Sequence, residues 1–292
     1  MAEISAQLVK QLRDMTGAGM MDCKKALVEA DGDIESAIEL LRKSGMAKAA
    51  KKVDRESKEG RIETAISDDA RVGAMILLAS ETDFVARNDD FIHLAKELAK
   101  LTLKNAPENV EQLMQMKLDS KSVEKAITEL VAKIGENIKP RKLTRFELED
   151  NGLIYQYVHP GNKVGVMVEL KSSLAMGDAR KKLEKLSKEL AMQIAFSKPV
   201  AISRDEIPED IIQKEKKLYT EQAKEEGKPE KIIDRIVEGK LKKFVTENCL
   251  LYQEYIRDND ITVKQLIQNF EEELSGEIQI TRFARFEVGL SE

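Results

Sequence analysis

Asp83 and Phe84 stand side by side in SETDFVARNDDF, residues 80–91, between a strand-like run, RVGAMILLA, and a helical pattern, FIHLAKELAKLTL. The carboxylate can accept hydrogen bonds or carry charge, and the ring supplies apolar bulk. Loops held by rigid elements are where functional residues accumulate. A hydrophobic residue just ahead of a helix also commonly staples onto its first turn, so core packing is the competing reading of Phe84. Little else offers covalent chemistry. With only two histidines, His93 and His159, a histidine-based triad or metal site is hard to assemble. His93 falls on a half-apolar helix face and reads as a packing residue, whereas His159, beside Pro160 and Gly161 in a turn, reads as exposed. GAGMMD begins like a dinucleotide fingerprint, yet has Asp22 where the third glycine belongs and joins two helices rather than strand to helix. No GxxxxGK[ST], HExxH or GxSxG occurs, and no two acids stand out as a catalytic pair. The expectation is a protein with no cofactor, no metal and no covalent chemistry of its own.

Activity would then lie in surface shape. Met20 and Met21 follow a glycine-rich turn, and consecutive helical residues cannot share one face. One of them exposed would suit an adaptable protein interface; both packed in a core is the competing account. Charged residues make up 35% and hydrophobic ones 42%, with a net charge of -5 from 48 basic and 53 acidic residues thoroughly mixed. No global basic field would draw in nucleic acid or a membrane surface, so a protein partner is expected. An adaptor or nucleic-acid chaperone would have to rest on the basic run Lys48, Lys51, Lys52 and Arg55, and such runs are usually solvated surface. Cys23 and Cys249 lie far apart without metal-ligand spacing and read as small core residues in a reducing compartment. The opening MAEISAQLVKQL lacks a basic region followed by an apolar core, and nowhere do about 18 apolar residues run together, which points to the cytoplasm.

The elements that must position these residues read as an α+β fold. Ile4, Leu8, Val9, Leu12 and Met15 fall on one helical face before TGAG breaks the pattern. A second helix begins near Asp22 with Ala26, Leu27 and Ala30, and Asp33 caps a third carrying Ile34, Ala37, Ile38 and Leu41. These three helices and the linker MAKAAKKVDRESKEG place a first domain at 1–55. Downstream, residues 60–81 align without a gap onto 152–173 at an offset of 92, with Gly60/Gly152, Ile62/Ile154, Val72/Val164, Gly73/Gly165, Met75/Met167 and Leu78/Leu170 matched. The register carries on into Leu94/Leu186 and the KELA of both copies. Each copy reads as a hairpin followed by a helix, giving two αβ subdomains with antiparallel sheets, 56–142 and 143–202 with 246–292. Where the first copy has TDFVARNDD the second has LAMGDARKK, so Met176 echoes Phe84 but Ala175 does not echo Asp83. Residues 203–245 interrupt the second copy with helix formers on both sides of Gly227-Lys228-Pro229, an antiparallel helical hairpin in which Ile211, Ile212, Leu218 and Tyr219 can face Ile232, Ile233, Ile236, Leu241 and Phe244. The hairpin either mediates self-association into a homodimer or projects into solvent. The last strand, EIQITRFARFEVG, alternates only loosely.

LVKQLRDMTGAGMMDCKKAL, TDFVARND and KIGEN at 133–137, in that order and spacing, resemble bacterial translation elongation factor Ts over nearly the whole chain. The resemblance implies a ubiquitin-associated-like three-helix domain, two related αβ subdomains and an inserted coiled-coil module. It implies guanine nucleotide exchange on elongation factor Tu, the GTPase that delivers aminoacyl-tRNA. It implies partner contacts at Thr82, Asp83, Phe84 and Val85, with the acid and aromatic pushing between helices near the nucleotide's magnesium site. Arg13, Met20, Met21 and Lys24 match N-terminal contact positions, and His159 matches a contact of the second subdomain. The chain ends soon after RFEVG, which leaves the C-terminal helical module of some members out of the expected plan.

Overall fold

The structure is a computed structural model that describes residues 4–50, 52 and 55–290. Three helices open the chain: α1 (Ala6–Thr16), α2 (Met20–Glu29) and α3 (Ile34–Ala50). Ser5 caps α1 by accepting Leu8 N–H at 3.1 Å, and Asp33 caps α3 by accepting Ser36 N–H at 2.7 Å. Leu12, Cys23, Leu27 and Ala37 are sealed in their shared core. The second helix starts at Met20, two residues ahead of its expected start at Asp22, because Gly19 takes the cap position with extended backbone.

The first αβ unit begins with the hairpin β1 (Glu59–Ile66) and β2 (Val72–Ser80). A single helical turn, α4 (Asp83–Ala86), and the long α5 (Asp89–Asn105) follow. Then come α6 (Val110–Gln115), the two-residue strands β3 (Lys117–Leu118) and β4 (Lys121–Ser122), and α7 (Val123–Ile134). β5 (Lys139–Glu147) closes the unit by pairing with β2, giving the antiparallel order β1-β2-β5. Phe91, Leu94, Leu98 and Thr102 form the inward stripe of α5. His93 lies two residues from Phe91, off that stripe, and is exposed rather than a packing residue.

The second unit repeats this plan with β6 (Gly152–Val158), β7 (Val164–Ser172) and α8 (Met176–Ser197). An antiparallel pair, α9 (Glu209–Glu225) and α10 (Glu230–Asn248), interrupts it before β8 (Glu254–Tyr255), β9 (Asp258–Thr262), α11 (Val263–Leu274) and β10 (Ile278–Glu287). Its sheet order is β10-β7-β6. After the interruption the duplication resumes at an offset of 140: Ser122 and Thr262 cap α7 and α11, Val123 and Val263 are both fully buried, and RFE recurs at 145–147 and 285–287. Arg145 donates Nε–H to the Leu103 carbonyl at 2.9 Å and Arg285 does the same to Ala195 at 3.2 Å, so each closes the end of its unit's long helix. Both third strands carry a bulge, at Arg141 and at Thr281. An extra residue flips the side-chain parity beyond it. Ile278, Ile280 and Phe283 therefore face the helices, while Ala284 and Phe286 face the other sheet. The bulge is the physical source of the loose alternation in the last strand.

The two sheets pack through reciprocal contacts. A Cβ on Gly73 would stand 2.8 Å from Ile154 Cγ2 and 2.8 Å from Met167 Sδ; one on Gly165 would stand 2.5 Å from Ile62 Cγ2 and 2.9 Å from Met75 Sδ. Ile62 donates its N–H to Asn162 at 2.9 Å and Ile154 donates its own to Ala70 at 2.8 Å. Every member of each pair is its counterpart's residue shifted by 92, the signature of a twofold relation inside one chain.

In the helical pair, Gly227 turns left-handed at φ 70° and Pro229 stands at the next N-cap. Ala223, Ile233 and Val237 fill its centre, with Tyr219, Ile236 and Leu241 alongside. Ile211, Leu218 and Ile232, expected to face the other arm, are exposed because the small Ala223 brings the arms together on an adjacent stripe. Cys23 and Cys249 are buried free thiols. Among the described residues no helix is long and apolar enough to cross a membrane.

Candidate functional site

β2 delivers the chain to Ser80, which is fully buried, and Ser80 donates its hydroxyl to the Thr82 carbonyl at 2.8 Å. Thr82, extended at φ -124° and ψ 159°, is the N-cap of α4. Its hydroxyl oxygen accepts from Val85 N–H at 3.5 Å. Thr82 also donates its own N–H to Glu136 Oε2 at 3.0 Å and its hydroxyl to Glu136 Oε1 at 2.7 Å. One turn later Asn88 caps α5, accepting from Asp90 and Phe91 N–H at 3.0 and 3.4 Å. The turn between is anchored from below: Val85 and Ala86 belong to the core that Phe91 fills.

With Val85 and Phe91 occupying the core, nothing is left for Phe84 to staple. Its side chain is 80% exposed, the largest value among the exposed large hydrophobic residues described. Burying an aromatic ring is worth about 1.5–3 kcal/mol, so a rigid turn that holds one out in water forgoes that stabilisation. Asp83 and Arg87 form an ion pair at 2.9 Å across the same turn.

The remaining expected site residues divide. Arg13 and Lys24 are exposed. Met20 and Met21 are both exposed, at 46% and 66%, so neither the one-in, one-out reading nor the packing of both holds. The three-helix core begins at Cys23, which leaves the first turn of α2 standing outside it. Met15, expected on the apolar face of α1 with Leu8 and Leu12, is instead exposed, at 59%. The TGAG turn that links α1 to α2 lies against the first unit: a Cβ on Gly17 would come within 2.5 Å of Lys133 Cε. Lys133 in turn donates Nζ–H to Asp90 at 2.6 Å, in the first turn of α5. Helix α3 also reaches that unit, with Gly45 facing Ala132 closely enough that a Cβ would sit 2.7 Å from the Ala132 Cβ. The structure thus brings the methionine-bearing turn and the TDFVARND stretch to neighbouring positions. His159 is exposed at the β6–β7 tip, its Nδ1 2.9 Å from the Tyr157 hydroxyl. Val85 is set apart from the other expected contacts, since its side chain faces its own core, and the Thr82 hydroxyl is committed to Glu136.

The sequence reading missed Glu136 and Arg87. KIGEN could have pointed to the first: Gly135, left-handed at φ 90°, ends α7 and turns Glu136 toward Thr82. Of the basic run, the two side chains the structure describes both have partners within the chain. Lys52 donates to the Gly135 carbonyl, and Arg55 faces Glu81 at 3.5 Å. Lys51 lies outside the described residues, as does the Lys48 side chain.

Comparison with known proteins places the chain among relatives of one kind. Residues 81–290 match the family described as Elongation factor TS. Elongation factor Ts of Clostridium botulinum (strain Eklund 17B) is 46% identical over 287 residues, covering 98% of this chain and 93% of the relative. The Alkalilimnicola ehrlichii protein of the same name is 46% identical over 286 residues, 98% and 92% of the two chains. That of Legionella pneumophila (strain Paris) is 47% identical over 290 residues, 99% and 93%. With likeness of this extent spanning both αβ units and the helical domain, the chain belongs to the elongation factor Ts family of translation elongation factors.

Proposed function

We propose that the chain is a guanine nucleotide exchange factor for elongation factor Tu and carries out no covalent chemistry itself. The observation that carries this reading is Phe84, exposed on a turn fixed by hydrogen bonds on one side and core residues on the other. A mobile ring would yield on contact; a braced one makes its partner yield. Bound GDP is held by phosphate contacts and by a magnesium ion that demands near-octahedral oxygen ligation. A ring driven between the elements around that ion spoils the ligation. Each 1.4 kcal/mol removed from the release barrier speeds release about tenfold.

Coupling of this kind is reciprocal: if the factor weakens GDP, a nucleotide weakens the factor equally. Incoming GTP then displaces the factor, which is free to act again. Arg13, Met20, Met21 and Lys24, exposed beside the first unit, would supply affinity on one side of the ring. His159, on the second unit, would supply it on the other. Asp83 would disturb polar contacts near the metal once it exchanges Arg87 for groups of the partner.

The test is substoichiometric. One part of this chain added to many parts of elongation factor Tu carrying fluorescent GDP, with unlabelled nucleotide in excess, should discharge all of the label at a rate proportional to the amount of factor added. Release at the spontaneous rate would refute the reading.

A further inference from the structure

We propose that Glu136 is a positioning residue for the Phe84 turn, fixing the direction in which the ring projects. The proposal rests on the exchange reading for its functional consequence, but not for its structural content. Both carboxylate oxygens of Glu136 are engaged by the single residue Thr82, one through its N–H at 3.0 Å and one through its hydroxyl at 2.7 Å. Bonds to an ionised acceptor are about twice as strong as neutral ones, and two of them fix both the position and the rotation of the cap residue. Phe84 lies two residues beyond. Being largely exposed, its ring gains little restraint from surrounding side chains, so the turn beneath must supply it.

A second rung runs the opposite way between the same two loops. Glu81 accepts the Asn137 N–H at 2.7 Å and faces Arg55, while Asn137 Nδ2–H donates to the Arg55 carbonyl at 2.7 Å. The loop that braces the ring is thereby also the loop that holds the segment arriving from the helical domain.

The duplicated unit supplies a built-in control. Shifting Thr82 by 92 gives Leu174, and shifting Glu136 by 140 gives Gly276. In that unit a Cβ on Gly276 would collide with Leu174, at 2.5 Å from its Cδ2, so an apolar contact replaces the polar brace. The other rung survives there in kind: Glu277 donates its N–H to the Ser173 hydroxyl at 2.9 Å, as Asn137 does to Glu81. What the second unit lacks is the carboxylate on the cap residue, and it also lacks the separate turn, since α8 begins directly at Met176 with Ala175 as an uncapped N-cap. The first unit has both brace and projecting turn, and the second has neither.

A positioning role predicts a change in rate at saturation rather than in affinity, because the contact surface remains while its stiffness is lost. The experiment uses the full chain with Glu136→Gln, which keeps the side chain's shape and removes one acceptor, and Glu136→Ala. Hydrogen exchange at the Thr82 amide should accelerate about tenfold in Glu136→Ala, which removes both acceptors, and less in Glu136→Gln, whose amide oxygen can still accept the Thr82 N–H, with the unfolding midpoint essentially unchanged in both. The plateau rate of fluorescent-GDP release from elongation factor Tu should fall about fivefold, while the half-saturating factor concentration moves less than about twofold. In a Phe84→Ala background Glu136→Gln should have no further effect. Unaltered Thr82 exchange would overturn the proposal, as would a plateau loss that persists undiminished without the ring. Should the wild-type chain fail to accelerate release at all, the exchange reading falls, and Thr82 exchange alone then decides whether Glu136 positions the turn.

Discussion

The two αβ units are the same machine built twice and finished differently. Sheet order, bulge position, helix caps and the arginine that closes each long helix all recur. Two differences bear on function. In the first unit a capped, braced turn holds Phe84 in solvent between strand and helix. In the second unit that connection is plain, and a helical pair is inserted after the long helix instead. The framework thus comes from residues that match, and on the proposed reading recognition comes from residues that do not.

The largest expected effect breaks what the units share. Gly73→Val and Gly165→Val each push side chains into the counterpart isoleucine and methionine across the sheet interface. Overpacking of this kind costs about 1–3 kcal/mol, at the upper end here because both neighbours are sealed in. Urea unfolding should show similar losses for the two variants. A large loss for one and none for the other would show that the reciprocity lacks energetic meaning.

Next in size are the surfaces that flank the ring. Met20→Ala and His159→Ala should each weaken complex formation with elongation factor Tu by about 1 kcal/mol, close to a fivefold rise in Kd, leaving the plateau release rate unchanged. Titration showing wild-type affinity for both would remove them from the contact surface. The smallest effect belongs to Arg87→Ala. Arg87 is 76% exposed and its pair with Asp83 spans one helical turn, so stability should change by less than about 0.5 kcal/mol. A greater loss would mean that the turn depends on that pair and not on Glu136.

Much of this was legible in the sequence. The gapless match at 92 exposed the duplication because hairpin and helix recur at fixed length. The match between the two third strands escaped notice because the inserted helices shift its offset to 140, although RFE at 145–147 and 285–287 marked it. Phe84 was ambiguous on sequence grounds, since Met176 is large and apolar too. What decides its exposure is three-dimensional: Val85 and Phe91 already fill the positions below. Periodicity failed for Met20 and Met21 because it assumes that the core extends along the whole helix, and here the core begins at Cys23. Glu136 stood in plain view within KIGEN, but its role was not legible because its partner Thr82 lies 54 residues away.

The central claim is that the ring, and not the fold that carries it, drives nucleotide release. The direct measurement compares Phe84→Ala with Met176→Ala, equivalent positions of the two units, in release of fluorescent GDP from elongation factor Tu at saturating factor. The account predicts a loss of about tenfold or more in the plateau rate for Phe84→Ala, with a wild-type unfolding midpoint, and a near-wild-type rate for Met176→Ala. An undiminished rate in the well-folded Phe84→Ala variant, or equal losses in both, would contradict it.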